Sequence, residues 1–461
     1  MRRSRRLAGL AALAAVAAFG TAGVAAPPPP GTVTLGPLLR VQTPGGTPIA
    51  CPFESEPEIT HTSAGTWVGY NDDTGCPLLA TQLRLTGVQL LPAGGGARRY
   101  IDLPPAWEST GYYSGDPDLA PDPSGNGGVL LASLISNEKG LVVGVVRISP
   151  SGHATVLPSP SLGASDDKEY LATDTGARSR FRGRAYLAWD DFASSKITVR
   201  AFDGKRWLQP AFVGAIAGQP DIAVAPNGDV AVGYSTAAGI AVRVSRDGGA
   251  TFGDAVTPLK GVGPGRDDPS CPLRPTIAQR QRATRSPHVT WDSRGGLHVV
   301  AALGRPGTGL ETGTVGAGTG GQASILHAVS TDRGATFTQQ QAVGSAETSE
   351  VQWAPAIAAL PDGGVAVSYL QTAQTTSYDA LVALLPRGAS RFRAPVVLSE
   401  GHGTLPPATE AVGNSNCYGI GDYTGLASTP DGVVADWATT AGVQTSYVDS
   451  DIAVRAVRVS S

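Results

Sequence analysis

One frame, written seven times along the chain, constrains the fold more than any other feature. It reads as an apolar strand, a turn built on Asn, Asp, Pro and Gly, and a second apolar strand ending near an aromatic or small residue. PDIAVAPNGDVAVGY (220–234), PHVTWDSRGGLHVVA (287–301) and PAIAALPDGGVAVSY (355–369) share it closely. YTGLASTPDGVVADW (423–437), PDLAPDPSGNGGVLLASL (117–134) and, more loosely, PEITHTSAGTWVGY (57–70) fit it, and KEYLATDTGARSRFRGRAYLAW (168–189) fits with a longer turn. A more polar hairpin follows, as in ITVRAFDGKRWLQPAF or IAVRVSRDGGATFGDA, so each unit has two inner and two outer strands. The units begin near Pro57, Pro117, Lys168, Pro220, Pro287, Pro355 and Tyr423. Their spacing is roughly 50 to 70 residues, at or just beyond the upper end of propeller periods. Inner strands that are apolar on both faces need neighbours on both sides, which radial repetition supplies. The expectation is an all-β β-propeller of about seven four-stranded blades, with six as the alternative if the first or second unit is an embellishment. TVTLGPLLRV (32–41) is the strand placed to pair with the last blade and close the ring.

The N-terminus MRRSRRLAGLAALAAVAAFGTAGVAA has a basic head, an apolar stretch and small residues, which reads as a secretory signal peptide over residues 1–26. Its apolar run is short and alanine-rich for a membrane anchor, and no cysteine at the cleavage site points to a lipid anchor. Residues 27–50 hold a Pro-rich spacer and the closing strand, and 51–461 form one propeller domain. A secreted monomer without a membrane span is expected. The net charge of −3 and the lack of a basic run beyond the N-terminus argue against a nucleic-acid partner. Cys51, Cys76, Cys271 and Cys417 show no C-x-x-C spacing and no histidine cluster, so two disulfides are expected rather than a zinc site. Of three possible connectivities, the architecture favours Cys51–Cys76 and Cys271–Cys417, because each pair then lies on one face. DDTG at 72–75 reads as an Asx turn rather than a calcium ligand, and no cofactor or metal is expected.

A second repeat is more local. SRDGGATF (245–252) and STDRGATF (330–337) agree in the pattern S-x-D-x-G-x-T-F, and both fall between the third and fourth strands of their units. Asp247 and Asp332 can accept hydrogen bonds from backbone N–H groups just downstream, and Gly249 and Gly334 can take positive φ. Phe252 and Phe337 then pin the turn to the core. Worn versions stand at FDGKRW (202–207) and RGASRF (387–392). The motif resembles the Asp-box, or BNR repeat, of the sialidase-like propellers. That resemblance implies the fold, with the boxes structural and remote from any active site.

Strand direction sorts the loops onto two faces. Turns inside the repeated hairpin and the S-x-D-x-G-x-T-F turns share one face. Approaches to the inner strands and links from second to third strand share the other, and the long irregular segments 260–286, 304–322 and 400–422 all fall there, where function tends to sit. Residues at the inner-strand starts should ring the opening: Glu56, Glu58, Asp116, Asp118, Asp167, Glu169, Asp221, Arg285, His288, Gln352, Trp353, Asp422 and Tyr423. Many carboxylates, few cations and several aromatics suit a neutral or basic sugar better than a polyanion. The competing reading is that these carboxylates only accept backbone N–H bonds.

The sialidase-like resemblance implies a tyrosine nucleophile with a glutamate partner, an aspartate acid, and arginines gripping a substrate carboxylate. Tyr423 or Tyr170 would supply the phenol, Glu169 or Glu58 the base, and Asp167 or Asp118 the acid. The Arg-Ile-Pro signature is missing, LLRVQTP (38–44) being the nearest approach, and only Arg285 is well placed to grip an anion. The expectation is a glycoside hydrolase of altered specificity acting on extracellular glycans. Asp167, Glu169, Asp422 and Tyr423 are its candidate catalytic residues, and Asp118, Arg285, His288 and Trp353 its substrate contacts. The alternative is a non-catalytic propeller that binds a glycan or a protein, with a polysaccharide lyase third. His61 and His402 have no serine-elbow context. GTGLETGTVGAGTGG lacks the lysine of a phosphate loop, and the four arginines of DTGARSRFRGR (174–184) read as a solvated turn before an anionic-polymer site.

Overall fold

The computed structural model describes residues 31–41, 54–72, 85–105, 111–216, 218–261, 266–268, 271–276, 286–304, 323–344, 350–374, 377–405, 420–440 and 450–460, with side chains for all but 266–276 and 373–374. It is a β-propeller of seven four-stranded antiparallel blades, with no helix among the described residues. The inner strands are Glu54–Thr62, Asp118–Pro121, Asp166–Thr173, Asp221–Val224, His288–Trp291, Gln352–Ala359 and Leu426–Thr429. Each packs beside the next, and the seventh beside the first. Second strands carry the core. Leu297–Gly304 and Gly432–Thr439 are buried at every position, because both faces of a blade meet a neighbouring blade. This explains the continuous apolar runs where a one-faced sheet would alternate.

The seventh blade takes its fourth strand from the other end of the chain. Val33–Val41 pairs antiparallel with Asp451–Val459, from Val33↔Val459 to Val41↔Ile452, and Arg40 Nη1 meets Asp451 Oδ2 at 2.8 Å. Closure removes the exposed inner edges an open sheet stack would leave.

Three details depart from the simple frame. Tyr112–Tyr113 adds a short strand beside the inner strand of blade 2, and Gly403–Thr404 adds another to blade 6. Segment 260–286, expected as irregular, contains two paired strands: Arg266–Asp268 runs antiparallel to Cys271–Thr276. The expected signal peptide, spacer and disulfides lie outside the described residues, as do the side chains of all four cysteines.

The two octapeptides fold alike. Ser245 Oγ donates to Asp247 Oδ1 (2.8 Å) and accepts from Gly249 N (2.9 Å), while Asp247 accepts from Thr251 N (2.9 Å) and Thr251 Oγ1 (2.6 Å). Ser330, Asp332, Gly334 and Thr336 repeat the set at 2.7, 2.8, 2.8 and 2.5 Å. Two consecutive residues adopt left-handed φ in each turn, Gly248 and Gly249 in one and Arg333 and Gly334 in the other. Gly248 has a second reason to be glycine, since a Cβ there would strike Arg184 and Phe181 of blade 3. Phe252 packs against the core between blades 3 and 4, and Phe337 against that between blades 4 and 5. We expect Asp247→Ala and Asp332→Ala each to lower the melting temperature by roughly 2–4 °C while leaving ligand binding or turnover intact. A large functional loss at unchanged melting temperature would contradict this.

Candidate functional site

A kink in the backbone aims the inner-strand starts inward. Glu56, Lys168 and Ala354 all take left-handed φ, at 50°, 53° and 47°, where the pairing register slips between Ser55 and Glu58, Asp167 and Tyr170, and Trp353 and Ala356. Asp116 does the same in blade 2 (48°). A non-glycine residue held there costs about 1–3 kcal/mol, so four such residues at matching places mark a shared demand of the fold.

Three of the four meet. Lys168 Nζ lies 2.8 Å from Asp116 Oδ2, 3.5 Å from Asp422 Oδ2 and 3.8 Å from Glu56 Oε1, which joins blade 3 to blades 2, 7 and 1. Burial opposes its charge, but Asp116, Glu56, Asp422 and Asp167 hold the ammonium well above the ordinary lysine value. Its head also lies 5.3 Å from the centre of the Tyr423 ring. Glu56 is fixed by Asn71 Nδ2 (2.8 Å) and Asp422 N (3.1 Å), and Asn71 Oδ1 takes Asp116 N (2.7 Å). Gly421, at φ 101°, must be glycine because a Cβ would meet Glu56 at 2.7 Å.

Two residues further along each inner strand lies a second row. Glu58, Asp118, Tyr170, Asp221 and His288 occupy equivalent register positions, opposite Gly69, Ala132, Ala188, Gly233 and Val300. In blade 7 the inner strand has Gly425, and Asp436 of the second strand fills the space, its Oδ1 accepting Gly425 N at 2.7 Å. Burial, above all, pushes Asp118 up to about 7 and Asp221 and Asp436 to about 8. Glu58 is raised well above the carboxylate range by burial and then by Asp118, Asp436 and Asp221. Asp118 Oδ1 accepts Leu119 N (2.7 Å) and its Oδ2 accepts Leu171 N; Asp221 Oδ1 accepts Ile222 N (2.7 Å) and its Oδ2 accepts Val289 N (2.6 Å). Each carboxyl thus staples its blade to the next one. Tyr170 packs edge-on to His288 (5.8 Å) and Tyr423 (6.0 Å). Its hydroxyl and His288 Nε2 are buried and find no hydrogen-bond partner among the described residues.

Of the sequence candidates, Asp118, Asp167, Glu169, His288, Asp422 and Tyr423 stand in or beside these two rows. Asp167, half-buried, accepts Lys168 N at 2.9 Å. Glu169 is buried, and burial followed by Asp116 raises its carboxyl well above the ordinary value. Trp353 is 1 % exposed and packs edge-on to Tyr378 in the core shared by blades 6, 7 and 1. Arg285 lies outside the described residues. Sequence reasoning missed Lys168 and Asp436. The signal for Lys168 was its place two residues before Tyr170, matching Glu56 before Glu58 and Asp116 before Asp118. Among the described residues no group of three or more His, Cys, Asp or Glu side chains is arranged to hold a metal ion, and no helix is long and apolar enough to cross a membrane.

No protein-family model matches the chain, and no curated protein does. Solved structures of similar shape include polysaccharide lyase Uly1 (8 % identity, 88 % of this chain and 90 % of that one, TM-score 0.49). Two others are the Penicillium chrysogenum alpha-L-arabinanase (12 %, 73 % and 94 %, TM-score 0.44) and a mutant of the NanB sialidase of Streptococcus pneumoniae (10 %, 91 % and 70 %, TM-score 0.43).

Lys168→Met should destabilise the protein by about 3–5 kcal/mol, because Glu56 and Asp422 would be left buried without the ammonium; denaturant unfolding that shifted by less than a third of this would refute the staple. The second row sets a pH dependence. Folded carboxyls with raised pKa hold protons that the unfolded chain releases, so their stabilisation is complete below about pH 4 and lost as pH rises through 7 and 8. His288, lowered to about 4 by burial, and His327, lowered to about 3, act oppositely, but only below their ordinary value of 6.5. Between about pH 6.5 and 8.5 the carboxyls act alone. The urea midpoint should fall across that window, and Asp221→Asn should shrink the fall; a midpoint that is flat or rises would contradict the assignment.

Proposed function

We propose that the chain is a carbohydrate-active propeller, a glycoside hydrolase exported to act on extracellular glycans at the mouth of its axis. The observation that carries this reading is the company of two kinds of carboxyl. Asp116 and Asp422 are tied to the Lys168 ammonium, whereas burial pushes Glu169 well above the ordinary carboxylate value and Asp118 to about 7. Cleaving a glycosidic bond takes one carboxyl that gives a proton and another that acts ionised, and contrasting environments are how one site holds both. Asp116 and Asp167 are the half-buried members, at the solvent edge of the cluster. In this reading Glu169 donates the proton and Asp167 or Asp116 receives one from water. Burial, then Asp116 and Glu56, pushes the Tyr423 phenol well up, so Tyr423 positions the sugar and does not attack it. Three carboxylates around one ammonium favour a neutral or basic sugar over an anionic one.

One observation favours a non-catalytic glycan- or protein-binding propeller instead. Glu56, Lys168, Glu169, Asp422 and Tyr423 are each less than a tenth exposed, as in a plug that ties blades together. A panel of neutral, amino-sugar and sialyl chromogenic glycosides, run beside a glycan array, separates the two. We expect turnover of a neutral or amino-sugar glycoside, reduced at least about a hundredfold by Asp167→Asn or Glu169→Gln at unchanged melting temperature. Full activity in a folded Asp167→Asn, Tyr423→Phe variant would move the site elsewhere. Array binding without turnover would establish the binding module.

A further inference from the structure

The face opposite the mouth carries a charge pattern that the proposed function does not use. Its basis is the long turn of blade 3, residues 174–184, with Arg178, Arg180, Arg182 and Arg184. Arg180 and Arg184 both bring their guanidinium groups over one ring, 4.7 and 4.6 Å from the centre of Phe181. Both then reach across to blade 4, Arg180 to the carbonyl of Arg246 (3.1 Å) and Arg184 to that of Gly248 (2.9 Å). Arg246 in turn reaches the carbonyl of Arg333 in blade 5 (3.3 Å). Guanidinium groups that spend one N–H on a backbone carbonyl keep their charge and the rest of their donor fork.

The carboxylates of these turns face their own backbone. Asp174 is buried and accepts Gly176 N (3.1 Å) and Ser179 Oγ (2.5 Å). Asp203 accepts Lys205 N and Arg206 N (both 2.9 Å), and Asp247 and Asp332 are bound within the S-x-D-x-G-x-T-F turns. Two also face a guanidinium: Asp229 is paired with Arg333 at 2.6 and 2.7 Å, and Asp203 lies 3.8 Å from Arg206 Nε. Arg178, Arg180, Arg182, Lys205, Arg206, Arg246 and Arg294 remain exposed along blades 3 to 5, on a protein whose overall charge is −3.

We propose that this row is a docking surface for an acidic polysaccharide, on the face away from the acid-lined mouth. Arginine predominates over lysine, and its planar fork matches carboxylate and sulfate oxygens two at a time. Phe181, the aromatic at the centre of the row, already carries two guanidinium groups over its ring, so that ring is engaged within the protein and is not left open for stacking a nucleobase. The proposal stands whether or not the mouth is catalytic.

The test is retention of the purified protein on immobilised polygalacturonate and dextran sulfate, with neutral dextran and double-stranded DNA as comparators. We expect binding to one or both acidic polysaccharides at about 0.05 M salt, weakened at least about tenfold by about 0.3 M. The paired reversal Arg178→Glu, Arg182→Glu should weaken it at least about tenfold at an unchanged melting temperature, while Lys139→Glu, on the other face, should not. Three results would overturn the proposal: no retention on either acidic polysaccharide, equal retention of the reversed variant, or DNA held as tightly as the polysaccharides.

Discussion

Seven inner strands converging on one axis bring their first polar side chains together out of water, and the rest of the molecule is arranged around that fact. A lone buried charge there would cost several kcal/mol. The upper row answers with one ammonium against three carboxylates drawn from blades 1, 2 and 7. Because those blades flank the point where the ring is closed by Val33–Val41, the same contact that neutralises the cluster also holds the seam. The lower row lacks a lysine, and burial drives its carboxyls to the other available route, proton retention, against backbone N–H groups of the next blade that favour the ionised form. The competing reading of these carboxylates, as acceptors for backbone donors, is thus met by Asp118 and Asp221 without removing their capacity to hold a proton.

Much of this fold was legible because its signals are local. The Asn/Asp-Gly hairpins, the S-x-D-x-G-x-T-F turns and the alternating strand TVTLGPLLRV each specify their own geometry within a dozen residues. The site was legible only as a list of positions. That Lys168 faces Asp422 depends on a kink at φ 53° and on packing across a sequence gap of more than two hundred residues, and neither leaves a mark in composition. Asp436 was hidden for a different reason: it sits on a second strand, and reaches the axis only because Gly425 leaves the space. Trp353 shows the converse. It begins an inner strand as expected, yet the register slip before Ala356 turns its ring into the core between blades.

Blade 5 handles buried polarity in a third way. Gln341 Nε2 stands 3.4 Å from His327 Nδ1, His327 Nε2 is 2.9 Å from His298 Nδ1, and His298 Nε2 is 3.4 Å from Asp292 Oδ2. If the glutamine amide donates, every ring nitrogen has one role, and the chain of donors runs one way from the fourth strand to the end of the first. Asp292 receives it while also accepting Arg294 N and Gly296 N, both at 2.8 Å. The ring nitrogens of both imidazoles are then matched, whereas a second proton on His327 would set its Nδ1–H against the glutamine amide donor. Burial accordingly holds His327 down to about 3. This is a satisfied network of the kind that rigidifies a core, in contrast with the axis, where Tyr170 and His288 keep polar atoms unmatched among the described residues.

That contrast separates the two faces. On the turn side, left-handed backbone falls mainly on glycines such as Gly228, Gly249, Gly295, Gly334 and Gly363, which tolerate it without strain. The carboxylates of Asp247 and Asp332 there are closed off by short hydrogen bonds. At the mouth, the same conformation is imposed on Glu56, Asp116 and Lys168, residues with long or charged side chains, and the strain is offset by the contacts those side chains make with one another. Left-handed φ on residues other than glycine is thus gathered mainly at the mouth, where contacts between side chains of different blades hold it.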